Sequence, residues 1–233
     1  MGVRKTHIEK HKGTSRWRDF ILGWQDGLVN VLGVTLGVAT ATEDLSIILT
    51  AAFAATFAES ISMGAVAYTS FKAEKEFYQA QVQLEEKEIL EIPQVERKEV
   101  RKVYHALGFR GALLEKIVAH ITANKKRWRD VMVSQELKMS APKISPENSA
   151  WVVGFSALVG SIIPIIPFFF MPVRTAILIS LSISTAVLFC VGAYKAKTTV
   201  GKPLRSGIEM ALIGMLAALV GYAIGALLGT TVI

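Results

Sequence analysis

The sequence predicts an all-α membrane protein with five transmembrane helices and a helical domain inserted between the second and third of them. Of its 233 residues, 52% are hydrophobic, and the mean hydropathy is +0.41. Soluble domains are usually about 45–50% apolar. Here the excess is concentrated in apolar blocks of about 20 residues, the length that crosses a hydrocarbon core of ~30 Å.

Five apolar blocks are the predicted spans: residues 20–41, 47–68, 150–171, 175–194 and 207–233. Only residues 42–46 separate the first two blocks, and only residues 172–174 separate the third and fourth, so each pair should form a tight antiparallel hairpin. The long connection between the second and third blocks is strongly charged. We therefore divide the chain into residues 1–71 with the first two spans, an insert at 72–148, and residues 149–233 with the last three spans.

The orientation follows from the lysines and arginines, which lie almost entirely on one side. Residues 1–18 hold six of them, residues 69–149 hold fifteen and residues 195–206 hold four, so that only Arg174 lies on the other side. Basic residues of short loops stay in the cytoplasm. We therefore expect a cytoplasmic N-terminus and insert, and a C-terminus outside the cell or in the lumen.

The insert has the composition of a small helical domain. No Gly or Pro occurs between Gly64 and Ile92, so the second span should continue as one helix, with residues 69–91 projecting roughly 34 Å beyond the membrane. Pro93 should end this helix. Further helices are predicted at about 94–107, 112–123 and 125–139.

Two carboxylates lie within the apolar blocks. Asp26 is seven residues into the first span, and Glu59 is in the middle of the second. Asp at the centre of a transmembrane helix costs ~2.5–3.5 kcal/mol on insertion scales, so such residues usually face a polar path. Met63, one turn beyond Glu59, adds a thioether that a borderline-soft metal accepts. The alternative is that the carboxylates only pair with polar neighbours and that Met63 is a packing residue.

The insert carries two pairs of glutamates with the same spacing. Glu85 and Glu88 share one helix face, and Glu96 and Glu99 repeat the spacing after Pro93. A bend at Pro93 would bring the pairs together as hard oxygen ligands for a divalent cation. Each of these pairs is three residues apart, whereas Met132 and Glu136 are four residues apart on the last helix of the insert. The alternative is an ordinary solvated face, with Lys87 and Lys98 as ion-pair partners.

Small residues recur at helical spacing in two spans. Gly33 and Gly37 lie in the first span, and Gly221, Gly225 and Gly229 lie in the fifth. Such stripes let helices approach closely, either within one subunit or between two. The single cysteine, Cys190, excludes an internal disulfide and is expected to be buried.

The sequence lacks the motifs that are typical of several functional classes. No Glu-x-x-His pair of a di-iron centre, Walker A phosphate loop, cysteine cluster or nucleophile elbow occurs. We therefore expect neither an enzyme nor a bound prosthetic group, and any transport would use an ion gradient. The net charge of +7 is attributed to loops that face anionic lipid rather than to nucleic acid.

Two segments carry a resemblance to a known family. Residues 18–29, RDFILGWQDGLV, and residues 58–64, AESISMG, resemble the first-helix and second-helix signatures of the vacuolar iron transporter family of Fe(II)/Mn(II) transporters. The resemblance implies a homodimer with a metal path between the subunits, lined by Asp26, Met63 and Glu59. It also implies proton-coupled export of the metal from the cytosol.

The resemblance further implies that the insert is a metal-binding domain. Its ligands would be the acidic residues and one methionine at matching positions: Glu85, Glu88, Glu96, Glu99, Glu136 and Met132. Two positions depart from the family pattern, because Val133 replaces a second methionine and Ala67 replaces a glutamate before Tyr68. The first departure should weaken binding of softer metals in the insert.

The resulting hypothesis is a divalent-metal transporter, with Fe2+ or Mn2+ as the substrate and Zn2+ or Co2+ as further ions that the insert binds. The membrane would be the cell membrane or a vacuolar membrane. The rival hypothesis is a membrane-anchored metal sensor or buffer without transport. A pure anchor would not need Asp26 and Glu59, which argues against the rival.

Overall fold

The computed structural model describes residues 14–142, 145–198 and 201–229. These residues form α1 (Thr14–Ala41), α2 (Leu45–Glu91), α3 (Pro93–Ala106), α4 (Gly111–Thr122), α5 (Lys125–Val131), α6 (Pro146–Ile162), α7 (Val173–Thr198) and α8 (Pro203–Gly229), with a π-helical turn at Met132–Glu136 and a 3-10 turn at Ile166–Phe169. No strand occurs among the residues described, which confirms the all-helical prediction.

The chain divides into two compact units. The membrane unit comprises Met1–Tyr68 and Glu147–Ile233, and the insert unit comprises Thr69–Pro146. Helix α2 contributes to both, because it runs for 47 residues without a break, or roughly 70 Å. A bilayer core needs only ~20 of these residues. The prediction that the second span continues as one helix as far as Glu91 is confirmed.

Four of the described helices are long and apolar enough to cross a membrane: Trp17–Ala41 of α1, Leu45–Glu91 of α2, Val173–Lys197 of α7 and Pro203–Gly229 of α8. The third predicted span, residues 150–171, is not one helix, because α6 ends at Ile162. The five-span count therefore stays a prediction. The last residues of the fifth predicted span, 230–233, lie outside the described residues.

The interruption of the third predicted span has a local cause. Pro164 and Pro167 cannot donate a backbone hydrogen bond, and a proline ring clashes with the preceding turn. The chain therefore leaves the α-helix and forms the short 3-10 turn at Ile166–Phe169. The Pro164 carbonyl accepts a hydrogen bond of 2.7 Å from the buried Ser180 hydroxyl of α7. Irregular backbone at membrane depth is tolerated where protein groups satisfy it in this way.

Glycines allow the helices of the membrane unit to approach closely. A Cβ atom on Gly221 or Gly225 would lie 2.1 or 2.0 Å from the carbonyl oxygen of Gly33 or Gly37. The two stripes therefore pack α1 against α8 within one subunit, which decides between the alternatives left open by the sequence. Gly27 lies equally close to α6, where its Cβ would be 2.2 Å from the Ala157 carbonyl oxygen.

The prediction that Cys190 is buried is wrong, because its side chain is exposed on α7. An apolar run predicts burial only where protein surrounds the helix. The outward side of a spanning helix faces lipid instead, and a small apolar side chain suits that environment as well.

One end of the membrane unit is closed by a short link between α1 and α2. Asp44 caps α2, since its Oδ1 accepts hydrogen bonds from the backbone N–H groups of Ser46 (2.8 Å) and Ile47 (3.3 Å). Beside it, the Arg174 Nε of α7 donates to the Glu43 carboxylate at 2.9 Å. Arg174, the one basic residue predicted to lie on the other side of the membrane, is thus at the same end of the unit as this link.

The insert unit has an apolar core of its own. Buried side chains from α2 to α5 and the π-helical turn form it, namely Ile89, Val100, Leu114, Val118, Ile121, Trp128 and Met132. The turn between α3 and α4 requires Gly108, whose φ of +99° is disfavoured for residues with a side chain. The predicted last helix at 125–139 is α-helical only over Lys125–Val131, and the π-helical turn follows it.

Candidate metal centre and membrane carboxylates

The acidic cluster of the insert is built by the bend between α2 and α3. Glu85 and Glu88 lie one turn apart near the end of α2, and Ile92 interrupts the helix before Pro93 begins α3. The bend brings Glu96, in the first turn of α3, back toward α2. One carboxylate oxygen from each of the three glutamates lies within 4.8 Å of the other two. This is the spacing of groups that can share one cation.

Two of these glutamates are unusual because they are buried. Glu85 is 5% exposed and Glu96 is 2% exposed. The Oε2 atom of each is buried without a hydrogen-bond partner among the described residues. A buried carboxylate oxygen that lacks a donor is costly. A divalent cation would satisfy both oxygens, and hard oxygen ligands of this kind suit Mn2+ and Fe2+.

Glu99 and Glu136 add negative charge to the same place. The side chains of Glu96 and Glu99 are hydrogen-bonded to each other, and both Glu99 and Glu136 act electrostatically on Glu85 or Glu96. Burial raises the pKa of Glu85 to about 7, helped by the nearby charges of Glu136, Glu88 and Glu99. The structure therefore brings all five predicted acidic residues of the insert into one electrostatic group.

The pKa of Glu96 is raised further, to about 8, first by burial and then by Glu99 and Glu85. Partial desolvation followed by the charge of Glu99 also raises the pKa of Glu136, while Lys102 opposes this change. Without metal, the cluster thus holds protons near neutral pH. A cation that binds there has to displace them.

The two predicted ligands of the last helix lie on the π-helical turn. Met132 is 1% exposed and belongs to the apolar core, with Val100 and Trp128 as neighbours in the same cluster. Glu136 is exposed at the other end of the turn. Turns of this type are often found at functional sites. The role of Met132 as a sulfur ligand remains a prediction, and Val133 is buried beside it.

Solvent reaches the cluster from one side. A cavity of about 540 Å³ is lined by Glu99 and Glu136 together with Lys102, Val103 and Leu107, among others. The Lys87 ammonium, considered as a partner of the glutamate pairs, lies 3.8 Å from the Glu91 carboxylate instead. The described contacts therefore give Glu85 and Glu96 no lysine partner, unlike the glutamates of an ordinary solvated face.

The membrane unit holds the second group of carboxylates. Asp26 of α1 and Glu59 of α2 are both half-buried, and their side chains are close enough to share a hydrogen bond. The Asn30 amide donates a further hydrogen bond of 3.3 Å to Asp26 Oδ2. Two carboxyl groups share a hydrogen bond only when one of them carries a proton. A proton on one of these two carboxyl groups would therefore be shared with the other.

Met63 and Ala67 follow Glu59 at one-turn intervals along α2. Met63 is half-buried, and Ala67 is 7% exposed. The position that holds a glutamate in the family pattern is therefore occupied by a buried methyl group, which cannot bind a cation. Asp26, Glu59 and Met63 remain the predicted path-lining residues.

Sequence reasoning did not single out Asp19, which is 2% exposed. Its Oδ2 accepts a hydrogen bond of 3.2 Å from the buried Ser149 hydroxyl of α6, and its Oδ1 lies 3.4 Å from the Arg18 guanidinium. Asp19 precedes the predicted first span by one residue, so hydropathy alone gave no sign of its burial. These contacts join the beginning of α1 to the beginning of α6.

Apolar spanning helices, facing carboxylates and an oxygen-rich cluster define a multi-pass helical membrane protein whose sites suit divalent cations. Comparison with known proteins agrees with this class. The chain belongs to the VIT family, whose model matches residues 17–226. The resemblance seen in the two signature segments is thereby confirmed.

Named relatives cover most of the chain. Vacuolar iron transporter 1 of Tulipa gesneriana is 32% identical over 220 residues, covering 93% of this chain and 89% of the relative. Vacuolar iron transporter 1 of Arabidopsis thaliana is 32% identical over 221 residues, covering 93% and 88%. Protein CCC1 of Saccharomyces cerevisiae is 26% identical over 212 residues, covering 86% and 65%.

Proposed function

We propose that this protein transports Fe2+ or Mn2+ across its membrane and exports the ion from the cytosol in exchange for protons. The observation that carries the proposal is the Asp26–Glu59 pair, because two interacting carboxyl groups within spanning helices are costly unless they have a function. The names of the relatives, which describe iron transporters, support the same substrate class.

The insert supplies the first binding step. Glu85, Glu88 and Glu96 present converging oxygens, and the metal-free cluster carries protons that an incoming ion replaces. Glu99 and Glu136 add charge from the solvent-exposed side, which raises the local concentration of cations. The cluster concentrates the substrate and releases protons as it does so.

The membrane pair supplies the exchange step. A cation bound between Asp26 and Glu59 replaces their shared proton, and a returning proton displaces the cation again. The pair with one shared proton carries a single negative charge, and the pair with a divalent cation is neutral. Each state costs less at membrane depth than two ionised carboxylates would. The Asn30 amide orients Asp26 toward the pair, and the Met63 thioether offers a softer contact to the passing ion.

We extend the proposal to assembly and location. The protein would act as a homodimer in a cell or vacuolar membrane, with its N-terminus and insert on the cytosolic side, and without a resident prosthetic group. The charge distribution supports this orientation, because 25 of the 26 basic residues fall on one predicted side. A single monomeric mass in mild detergent and in nanodiscs would count against the dimer.

Flux in proteoliposomes tests the function directly. Vesicles that contain the purified chain, a metal-sensitive dye and a pH-sensitive dye should show Fe2+ or Mn2+ movement together with opposite proton movement. Asp26→Asn should lower both signals roughly 100-fold. Glu43→Gln, which removes an exposed carboxylate of the α1–α2 link, is the matched control and should leave flux unchanged.

The rival function, a sensor or buffer anchored in the membrane, is favoured by one observation only. The acidic cluster lies within the insert unit, which has its own apolar core, so metal binding does not require transport. Metal binding without any flux in the same vesicles would establish the rival and remove the proposal.

A further inference from the structure

The ends of α7 and α8 form a basic pocket that the proposed function does not use. It encloses about 450 Å³ and is lined by Lys195, Lys202, Arg205, Ser206 and Glu209, with Gly201 between the helices. Three cations therefore face one carboxylate. Sites for small ligands usually enclose about 300–1,000 Å³, so the pocket has room for a phosphate group and the glycerol attached to it.

The close packing of the two helices brings these charges together. A Cβ atom on Gly192 would lie 2.5 Å from the Ser206 carbonyl oxygen, and one on Gly207 would lie 2.9 Å from the Phe189 carbonyl oxygen. Only glycine permits this approach. As a result, Lys195 at the end of α7 and Arg205 at the beginning of α8 line the same pocket.

The hydrogen bonding of the pocket leaves donors for an anion. Arg205 Nε donates to Glu209 at 2.9 Å, and a guanidinium has five N–H groups in all. The pair orients the planar group of Arg205, whose side chain is 79% exposed. Lys202 is exposed in the loop before α8, and the Ser206 hydroxyl adds an uncharged donor.

Neighbouring aromatic rings indicate the depth of the pocket in the membrane. Trp17 and Tyr194 are in contact, with ring centroids 6.1 Å apart, and both are about half exposed. Trp17 begins one spanning segment, and Tyr194 lies near the end of another. Exposed Trp and Tyr at the ends of spans lie at the level of lipid headgroups. We therefore expect Lys195, the next residue after Tyr194, to lie near the level of the lipid phosphates.

We propose that this pocket, between the ends of α7 and α8, binds the phosphate of an anionic phospholipid headgroup. Basic pockets between spanning helices are suited to such headgroups, and the predicted cytoplasmic side faces the anionic leaflet. The lipid would hold the ends of the two helices together by bridging Lys195, Lys202 and Arg205. This site is independent of the metal-binding residues and of the proposed transport.

Native mass spectrometry of the full chain in an uncharged detergent tests the site. The chain is titrated with phosphatidylglycerol, with phosphatidylcholine of the same acyl chains, and with inorganic phosphate. We expect one tightly retained phosphatidylglycerol per chain and at least roughly 10-fold weaker binding of the other two. The double variant Lys202→Gln with Arg205→Gln should bind phosphatidylglycerol roughly 10- to 30-fold more weakly.

Two further variants distinguish binding at this pocket from a general electrostatic attraction between the lipid and the basic chain. Lys75→Gln with Lys116→Gln removes the same charge from exposed positions outside the pocket and should bind as the parent does. Lys202→Arg, which keeps the charge, should also bind normally. Should the double variant fail to remain monodisperse, Lys202→Gln alone, in the loop, should weaken binding roughly 5-fold.

Three results would overturn the proposal. The first is equal retention of phosphatidylglycerol and phosphatidylcholine. The second is a pocket variant that binds like the parent, or a control variant that loses as much affinity. The third is inorganic phosphate binding as tightly as the lipid, which would assign the pocket to a soluble anion.

Discussion

The carboxylates of the insert and those of the membrane unit are arranged differently, although both groups are proposed to bind the same cation. In the insert, five glutamates share one electrostatic group, and burial with like charges raises the pKa values of Glu85 and Glu96. In the membrane unit, Asp26 and Glu59 form a single pair among the described residues, and the Asn30 amide donates a hydrogen bond to Asp26. Water competes for a cation at each position of a solvated cluster, so we expect several carboxylates to be needed there. We expect fewer to be needed within apolar helices, where water is scarce.

This comparison predicts that the membrane pair tolerates change least. Asp26→Asn keeps the shape of the side chain but removes the charge that a cation and a proton exchange. We expect metal flux in proteoliposomes to fall roughly 100-fold, while insertion and particle size stay unchanged. Flux equal to that of the parent would remove Asp26 from the transport path.

The insert should lose affinity more gradually. Glu96→Gln with Glu99→Gln removes two of five carboxylates, and calorimetric titration with Mn2+ should show roughly 30-fold weaker binding to the insert. Glu74→Gln with Glu76→Gln changes two exposed glutamates of the same unit and serves as the control. Equal affinity of both double variants would mean that the cluster is an ordinary solvated face.

Lowering the pH should weaken metal binding to the insert by a smaller factor than the double glutamate substitution does. Glu85 and Glu96, with pKa values of about 7 and about 8, hold protons that the metal has to displace. Affinity should therefore fall roughly 10-fold when the pH is lowered from 8 to 7. A titration in buffers of different ionisation enthalpy should show proton release, and a pH-independent affinity would contradict the raised pKa values.

The same raised pKa values set the stability of the metal-free protein. A glutamate that binds its proton more tightly in the folded state favours folding at acidic pH, and this stability is lost as the pH rises through about 7 and 8. The melting temperature of the insert, expressed as residues 69–146, should fall by roughly 20 °C or more between pH 5 and pH 8. Added Mn2+ should reverse the fall at pH 8, and a melting temperature that rises with pH would oppose this explanation.

The smallest effect is expected at the sulfur position. Met132 packs in the apolar core, and a leucine has a similar volume. Met132→Leu should change Mn2+ affinity less than roughly 3-fold, because Mn2+ prefers oxygen ligands, and should weaken Co2+ binding more. A loss of Mn2+ affinity as large as that of the double glutamate variant would place the sulfur at the centre of the site.

Local features of the sequence predicted much of this fold. The absence of Gly and Pro after Gly64 predicted the uninterrupted α2, and Pro93 predicted where the next helix begins. The matched spacing of the glutamate pairs indicated which side chains could meet. These inferences depend only on helix geometry and on the few residues that interrupt it.

The remaining features depend on contacts between distant residues. Pro164 interrupts the third predicted span. The energetic cost of the interrupted backbone is reduced because the Ser180 hydroxyl of α7 donates a hydrogen bond to the Pro164 carbonyl. Asp19 is buried because Ser149 lies against it, and Cys190 is exposed because no helix covers it. The sequence pattern also could not decide whether the glycine stripes of α1 and α8 meet within one chain. Each of these requires the packing of whole helices to be known.

The π-helical turn at Met132–Glu136 also makes the acidic cluster of the insert sensitive to the number of residues in that turn. An α-helix rotates by about 100° for each residue, and the wider turn accommodates one residue more than an α-helix would. Deleting a single residue, such as Gln135, would turn the π-helical turn into an ordinary α-helical one. The residues that follow the deletion would then be rotated about the helix axis. The side chain of Glu136 points in its present direction because of this extra residue. A one-residue deletion would therefore turn Glu136 away from the cluster, although every proposed ligand residue would still be present in the sequence.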